Sequence, residues 1–441
     1  MPIDITVSGI TPNAPPPSGG DSGGGDSGYE EPAIRVENEL NKDDVKSDTT
    51  LWPAHTTESG GVSTTTVTDA ELKALLELAR QHAKDTEDIP GEGLKEGIFS
   101  IEDLRPSSQN NTYVLELTGD QLHTLEQENW DRLTVQTPAG SFSLYSEALT
   151  QAGAEITDGD QPVRITLHRL DHENRPGVDA SLTVNKNQVT SFETPYGVRI
   201  VVPYTPAPGE DVNALIIDYI HEDGTVERVS ECHYDPEAGG VVFFTTHLSK
   251  FGVAYRPAAF ADVTAKHWAN PYVTFLASRG VISGDGGKKF RPDDLATRSE
   301  TIAMLTKALS AVKCPKKPIQ VYTDVKLSSS ISGASNWLYF NNLAPFFTTG
   351  TKLKPSAPVA KQDVAALVNN ITDGVGLRLR SRGLDTGYTD LGELADYAKP
   401  AVVRLTAAGI LPMTSNFKFN PKTNLNRGEL AQITATLLSN L

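Results

Sequence analysis

Three basic residues stand at matching places in the last two-fifths of this 441-residue chain: Arg298, Lys361 and Arg427. Each follows an aspartate at nearly constant distance, with Asp262 lying 36 residues before Arg298, Asp324 37 before Lys361 and Asp390 37 before Arg427. An aromatic residue stands 30 positions before two of the three, Trp268 before Arg298 and Tyr397 before Arg427, whereas the position 30 before Lys361 is Ile331. A guanidinium can grip a carboxylate through two parallel hydrogen bonds, which lysine cannot do. Spacing this regular marks an internal repeat.

The elements that must position these residues read as helix, loop, helix. Trp268, Tyr272, Phe275 and Leu276 share one helical face, and Gly280 ends that helix. Thr297 followed by Glu300 forms a capping box, and Ile302, Leu305 and Leu309 supply the next buried face; Asn426 and Glu429 repeat the arrangement. The cap accounts for Glu300 and Glu429 without any chemistry, so neither is a candidate catalytic acid. Arg298 and Arg427 differ, because a cation at the first helical position opposes the helix dipole by ~0.3–1 kcal/mol. Two uses for them stand open: gripping an anion beside free helix N–H groups, or bonding an acid or loop carbonyl of a neighbouring repeat.

The segments 260–313, 321–374 and 387–441 resemble the S-layer homology (SLH) domain of Firmicutes type, in three tandem copies. The resemblance rests on Phe260-Ala261-Asp262-Val263, His267-Trp268-Ala269, Gly280-Val281-Ile282-Ser283-Gly284, Phe290-Arg291-Pro292 and Thr297-Arg298-Ser299-Glu300, with Tyr388-Thr389-Asp390-Leu391 and Asn426-Arg427-Gly428-Glu429 as counterparts. It implies an all-α pseudo-threefold helical bundle that binds pyruvylated secondary cell-wall polysaccharide non-covalently in grooves between repeats. Carried over by position, the ligand-binding residues are Asp262, Trp268, Gly284 and Arg298 in the first repeat and Asp390, Tyr397 and Arg427 in the third, with Lys361 a weaker contributor. The ketal carboxylate is then the anion held by Arg298, with Trp268 facing a sugar ring. The second copy is degenerate: Ala360 replaces the cap, Asp363 the glutamate, and Trp337 is out of register and expected in the core. One competent groove is therefore expected at the first repeat and a weaker one at the third.

Upstream, residues 1–67 are rich in Pro, Gly, Ser, Thr and acid and read as a disordered tether. Residues 68–97 carry a helical pattern with Leu72, Leu75, Leu76 and Ala79 on one face. From 98 to 258 the hydrophobic period falls to two, which predicts a mainly β spacer or display domain, with Asp223-Gly224 as a tight type I′ hairpin turn and a short helix opened by Thr118.

A net charge of −17 disfavours nucleic-acid and anionic-membrane partners. No apolar run is long enough to span a bilayer, and the first residues show no secretory signal. Cys232 and Cys314 have no metal or redox spacing, and Asp158 with Asp160 and Asp293 with Asp294 sit in turns, so no cofactor, metal or catalytic residue is expected. The resulting expectation is a non-enzymatic protein of the cell surface, anchored to wall glycan and able to self-associate in a surface layer. The alternatives are a wall-anchored enzyme with its activity in the β-rich region, or a phage protein that adheres to a host wall.

Overall fold

The computed structural model describes residues 35–40, 47–53, 55–85, 96–100, 110–128, 130, 132–286, 288–377, 379, 387–412 and 416–441. Residues 1–34 of the expected tether lie outside them. The chain divides into two compact units, one of residues 1–168 and 180–190, the other of 169–179 and 191–441.

The first unit contains β1 (Arg35–Leu40), β2 (Ser47–Trp52), β3 (His55–Ser59), β4 (Val62–Thr66), α1 (Asp69–Asp85), β5 (Glu96–Ser100), β6 (Thr112–Thr118), α2 (Gly119–Gln127), β7 (Arg132–Thr137), β8 (Gly140–Tyr145) and α3 (Ser146–Gly153). The hairpin β9 (Pro162–His172) and β10 (Arg175–Val184), followed by β11 (Asn187–Val189), completes it, although the hairpin tip belongs to the second unit. Within this unit β1-β2-β5-β7-β8 run side by side, as do β3-β4-β6-β9. The pairs β2–β5, β5–β7 and β4–β6 are parallel. Parallel neighbours need crossovers, and α1 and α2 lie in the connections. The β-rich reading holds as a mixed α/β arrangement.

Helix α1 buries Leu72, Leu75, Leu76 and Ala79, the face its spacing predicts. Thr118 caps α2 in a capping box with Gln121, and Leu122 and Leu125 are buried. The tether reading is corrected over residues 47–67. Four strands begin or lie between residues 35 and 66, and β3 and β4 form a two-residue hairpin at Gly60 and Gly61, with φ of 58° and 82°. Composition counted Thr and Gly as loop-formers; here alternating Thr is a strand former and Gly-Gly the turn that positive φ requires.

The second unit opens with β12 (Val198–Pro203), a 3-10 turn (Val212–Ala214), β13 (Leu215–Ile220), β14 (Val226–Val229), β15 (Cys232–Asp235), β16 (Gly240–Thr245) and β17 (Lys250–Tyr255). Strand β16 lies between β12 and β15, while β13 lies between β14 and β17, and Gly177–Asp179 of the hairpin tip pairs with β17. The expected type I′ turn at Asp223-Gly224 is a longer loop. Ile220 pairs with Val226, Gly224 N–H bonds the His221 carbonyl at 2.9 Å, and the Asp223 carboxylate accepts the Thr225 amide at 2.9 Å.

Three helix pairs follow: α4 (Asn270–Ser278) with α5 (Arg298–Ala308), α6 (Ser332–Phe340) with α7 (Lys361–Gly374), and α8 (Lys399–Ala407) with α9 (Arg427–Ser439). Capping boxes at Thr297 and Asn426 start α5 and α9, whereas Ala360 before α7 offers no side-chain cap. The residues just before these second helices close on one another. Ala296 N–H bonds the Leu425 carbonyl at 2.9 Å, Leu425 N–H bonds Val359 at 3.0 Å, and Val359 N–H bonds Ala296 at 3.1 Å. This ring of backbone hydrogen bonds joins the pairs around a pseudo-threefold axis. One continuous core including Phe290, Ile302, Phe347, Leu367, Leu405 and Leu430 lies among them, with Trp337 packed against it.

Candidate functional site

The aspartates build loops. Asp262 accepts the amides of Phe290 and Arg291 at 2.9 and 2.8 Å, Asp324 those of Leu353 and Lys354 at 2.9 and 2.8 Å, and Asp390 those of Phe419 and Asn420, both at 2.8 Å. Arg291, Lys354 and Asn420 carry φ of 59°, 56° and 56°, a left-handed conformation that non-glycine residues adopt at a cost. Each carboxylate holds its strained loop by bonding two consecutive amides. Burial works against the charge of Asp262, but the two amides outweigh it and leave its pKa below the ordinary value. Gly284 serves the same loop, since a β-carbon there would lie 2.9 Å from the Phe260 ring and 3.1 Å from the Lys289 carbonyl.

The second-helix N-termini are not open anion sites. The amides of Arg298, Lys361 and Arg427 donate to the carbonyls of Ala357, Thr423 and Asp294, each at 2.9 Å, and those of Ser299, Gln362 and Gly428 donate to Pro355, Pro421 and Pro292. The partner in every case belongs to the next repeat around the axis. Of the two uses left open for the arginines, the structure contains the second. Arg298 Nη1 donates to the carbonyls of Phe347 and Leu353 at 2.6 and 2.8 Å, with its guanidinium 4.9 Å from the Phe347 ring centre. Arg427 Nε donates to the Phe290 carbonyl at 2.8 Å, its guanidinium lies 4.7 Å from the Phe290 ring centre, and Nη1 pairs with Glu300 Oε1. Lys361 Nζ lies 3.0 Å from Glu429 Oε1. Glu300 thus has two uses, capping its own helix through Oε2 and holding Arg427 through Oε1.

The aromatics fall at different junctions from those their sequence order suggests. Trp268 lies against Gly428, the residue after Arg427, so the Trp268 junction is formed by the first and third repeats. It remains 46% exposed, with the His267 ring stacked 5.9 Å away. Tyr397 is 47% exposed; it stacks on Phe346 at 5.0 Å and donates to Asp363 Oδ1 at 2.5 Å, at the start of the second repeat's α7. Burial raises the Asp363 pKa against the opposing effects of Tyr397 and the Arg298 charge. The expected groove uniting Trp268 with Arg298 is therefore corrected: Trp268 lies where the first and third repeats meet, whereas Arg298 holds carbonyls of the second and its charge acts on Asp363 and Tyr397. Arg298 faces the repeat that has Ile331 where the others have an aromatic. Sequence spacing records position within a repeat; the closure around the axis decides which repeats meet.

Residues 259–302 and 387–431 match the S-layer homology domain. The match takes in α4 and α8 with the starts of α5 and α9, and nothing of the middle helix pair, so two repeats, not three, are evident. Three relatives are similar over about two-fifths of this chain. They are an endoglucanase of Bacillus sp. (strain KSM-635), 24% identical over 185 residues, 41% of this chain and 18% of that protein; the exoglucanase XynX of Acetivibrio thermocellus, 23% over 187 residues, 42% and 17%; and an S-layer protein of Bacillus thuringiensis subsp. finitimus, 24% over 188 residues, 42% and 22%. The chain spans about a fifth of the length of each of these relatives.

Two of the three carry enzyme names, which overturns the exclusion of catalysis made from sequence. That exclusion looked for carboxylates close together in sequence, and folding does not respect sequence distance. Glu173 and Asp218 both bond the same Arg256 guanidinium, at 2.6 to 2.7 Å, though far apart in the chain. These two acids and His172 place one ligand atom each within 4.8 Å of one another, but Arg256 already supplies the cation and Asp218 is fully buried. Among the described residues no helix is long and apolar enough to cross a membrane.

Proposed function

We propose that the C-terminal helical bundle attaches this chain non-covalently to an anionic cell-wall polysaccharide, so that the protein works outside the cytoplasm at the wall. The observation that carries the reading is the Trp268 junction: an exposed indole resting on Gly428 beside Arg427, at a place where residues 259–302 and 387–431 match the S-layer homology domain. The indole offers an apolar platform to a sugar ring, and Arg427, which is paired with Glu300 in the free protein, would exchange that carboxylate for an acidic substituent such as a pyruvyl ketal. The segment 321–374 is read as the degenerate second of three repeats, supported by the Asp324 loop contacts and by Val359 in the backbone ring. Pelleting of the full chain with purified cell walls, before and after acid removal of the ketal, tests the proposal. Binding lost with the ketal supports it, and equal binding to both wall preparations defeats it.

A second reading concerns the rest of the chain. Similarity to an endoglucanase and an exoglucanase favours activity on glycan alongside attachment. Release of reducing sugar from β-glucan or wall polysaccharide by the full chain is the corresponding assay.

A further inference from the structure

Helix α4 runs from the Trp268 junction to a socket in the β strands of the same unit. At its C-terminal end Arg279 is 3% exposed and has no ion pair among the described residues. Its guanidinium is instead bonded on every edge. Nε donates to the Cys232 carbonyl at 2.7 Å, Nη1 to Asn213 and Phe275, and Nη2 to Leu215, each at 2.9 Å. The plane stacks on Phe275 with 3.4 Å from the carbon to the ring centre. Arg228 of β14 adds a bond from Nη1 to the Ser278 carbonyl at 3.2 Å.

A buried cation without a counter-ion is costly, and an apolar side chain of similar volume commonly packs as stably. What a planar guanidinium adds is direction, because several donors fixed in one plane meet several carbonyls at one position only. The carbonyls come from the 3-10 turn, β13, β15 and α4 itself. They fix the end of the helix along its axis as well as across it. Nine residues at about 1.5 Å each make α4 a short rod of about 14 Å. Its other end is Ala269, fully buried, preceded by Trp268, and α4 packs along α9, whose first turn carries Gly428. A shift along α4 at the socket therefore moves the indole across Gly428.

We propose that Arg279 is a positioning residue for the Trp268 junction: by seating the end of α4 in the β13 and β15 socket, it sets where the indole stands on Gly428. The role in wall binding rests on the proposed function; the placement of the indole does not.

The test uses the full chain and two readouts. Iodide quenching of Trp268 is taken as the difference between each protein and its Trp268→Phe counterpart, and wall binding is measured by pelleting. Arg279→Lys and Arg279→Met are compared with Val402→Ala, a buried substitution in α8, which supplies no carbonyl to the socket. The expected result is increased quenching of Trp268 and about tenfold weaker wall binding in both Arg279 variants, a coupling of ordinary size. Val402→Ala lowers the melting midpoint and leaves both readouts unchanged. Arg228→Ala, which removes only the bond to Ser278, shifts quenching in the same direction by less, and it decides the matter if the Arg279 variants do not fold. Unchanged quenching in the folded variants, with only the midpoint lowered, overturns the proposal. If the unmodified chain fails to bind walls, the proposed function falls, and quenching still decides the role of Arg279.

Discussion

Trp268 rests on Gly428 so closely that a β-carbon on Gly428 would stand 2.9 Å from Cζ2 and 3.0 Å from Cη2 of the indole. Two of the crowded atoms belong to the far end of a half-exposed side chain, so the ring can swing aside at little cost; the third, Cβ of buried Ala269 at 3.3 Å, must give by a few tenths of an ångström. Gly428→Ala is accordingly expected to move the melting midpoint by no more than about 4 °C, the shift of ~1 kcal/mol in a unit of this size, because the crowding is offset by the helix propensity that Ala gains over Gly. Wall binding should fall to the level of Trp268→Ala. Equal wall binding by Gly428→Ala and the unmodified chain would remove the indole platform from the account.

The two arginines are expected to separate. Arg298 holds two loop carbonyls of the second repeat, and its loss leaves buried acceptors unmet, at about 1–3 kcal/mol. Arg427 stands beside the Trp268 junction. Chemical denaturation of Arg298→Ala should show the larger loss of stability, and wall pelleting of Arg427→Ala the larger loss of binding. The reverse order would restore the pairing of Trp268 with Arg298 expected from spacing.

The missing cap on α7 can be supplied. Ala360 already has the extended backbone of an N-cap residue, with φ −80° and ψ 152°, and Asp363 sits three residues on. Ala360→Ser is expected to stabilise the helical bundle by about 0.5–1 kcal/mol. Calorimetry of the full chain checks this, and an unchanged or lower midpoint refutes it.

Acid should act on the second unit in two opposing ways. The pKa values of Asp262 and Asp324 lie below the ordinary value, since paired amides outweigh burial. Their contribution is complete above about pH 4 and is lost as pH falls through the depressed values. Glu231, 2% exposed, is the opposite case. Burial raises its pKa against bonds from Ser310 and from the Tyr196 hydroxyl at 2.7 Å. Its contribution is largest below about pH 4.4 and declines as pH rises towards the raised value. Melting midpoints between pH 4.5 and 7 should therefore carry a downward component that Glu231→Gln abolishes, while Asp262→Asn removes part of the loss below pH 4. Parallel profiles for all three proteins would contradict both assignments.

Much of this is legible in the sequence itself. The Thr297–Glu300 and Asn426–Glu429 caps, the α1 face and the helix–loop–helix order follow from short-range rules, and they stand in the structure as the spacing predicts. What sequence missed depends on closure. The aspartates at constant spacing are loop holders, because the amides they bond lie 28 to 30 residues away and carry no side-chain signature. Trp268 meets the third repeat because the ring joins last to first. Arg279 had no motif at all; a lone arginine at a helix end gives no sign of the carbonyls waiting for it. The Thr-rich strands β2 to β4 were hidden by composition, which averages away the alternation that makes a strand.

The backbone ring through Ala296, Leu425 and Val359 carries one more implication. Each member gives one hydrogen bond and receives one, so the tally closes at three with no donor or acceptor left over. An open stack of repeats can gain or lose a copy at either end, but this one has no end at which to do so. The middle helix pair has neither the cap nor the aromatic of the other two and still supplies Val359, so the closure rests on one backbone link per pair and leaves the caps and aromatics free to differ.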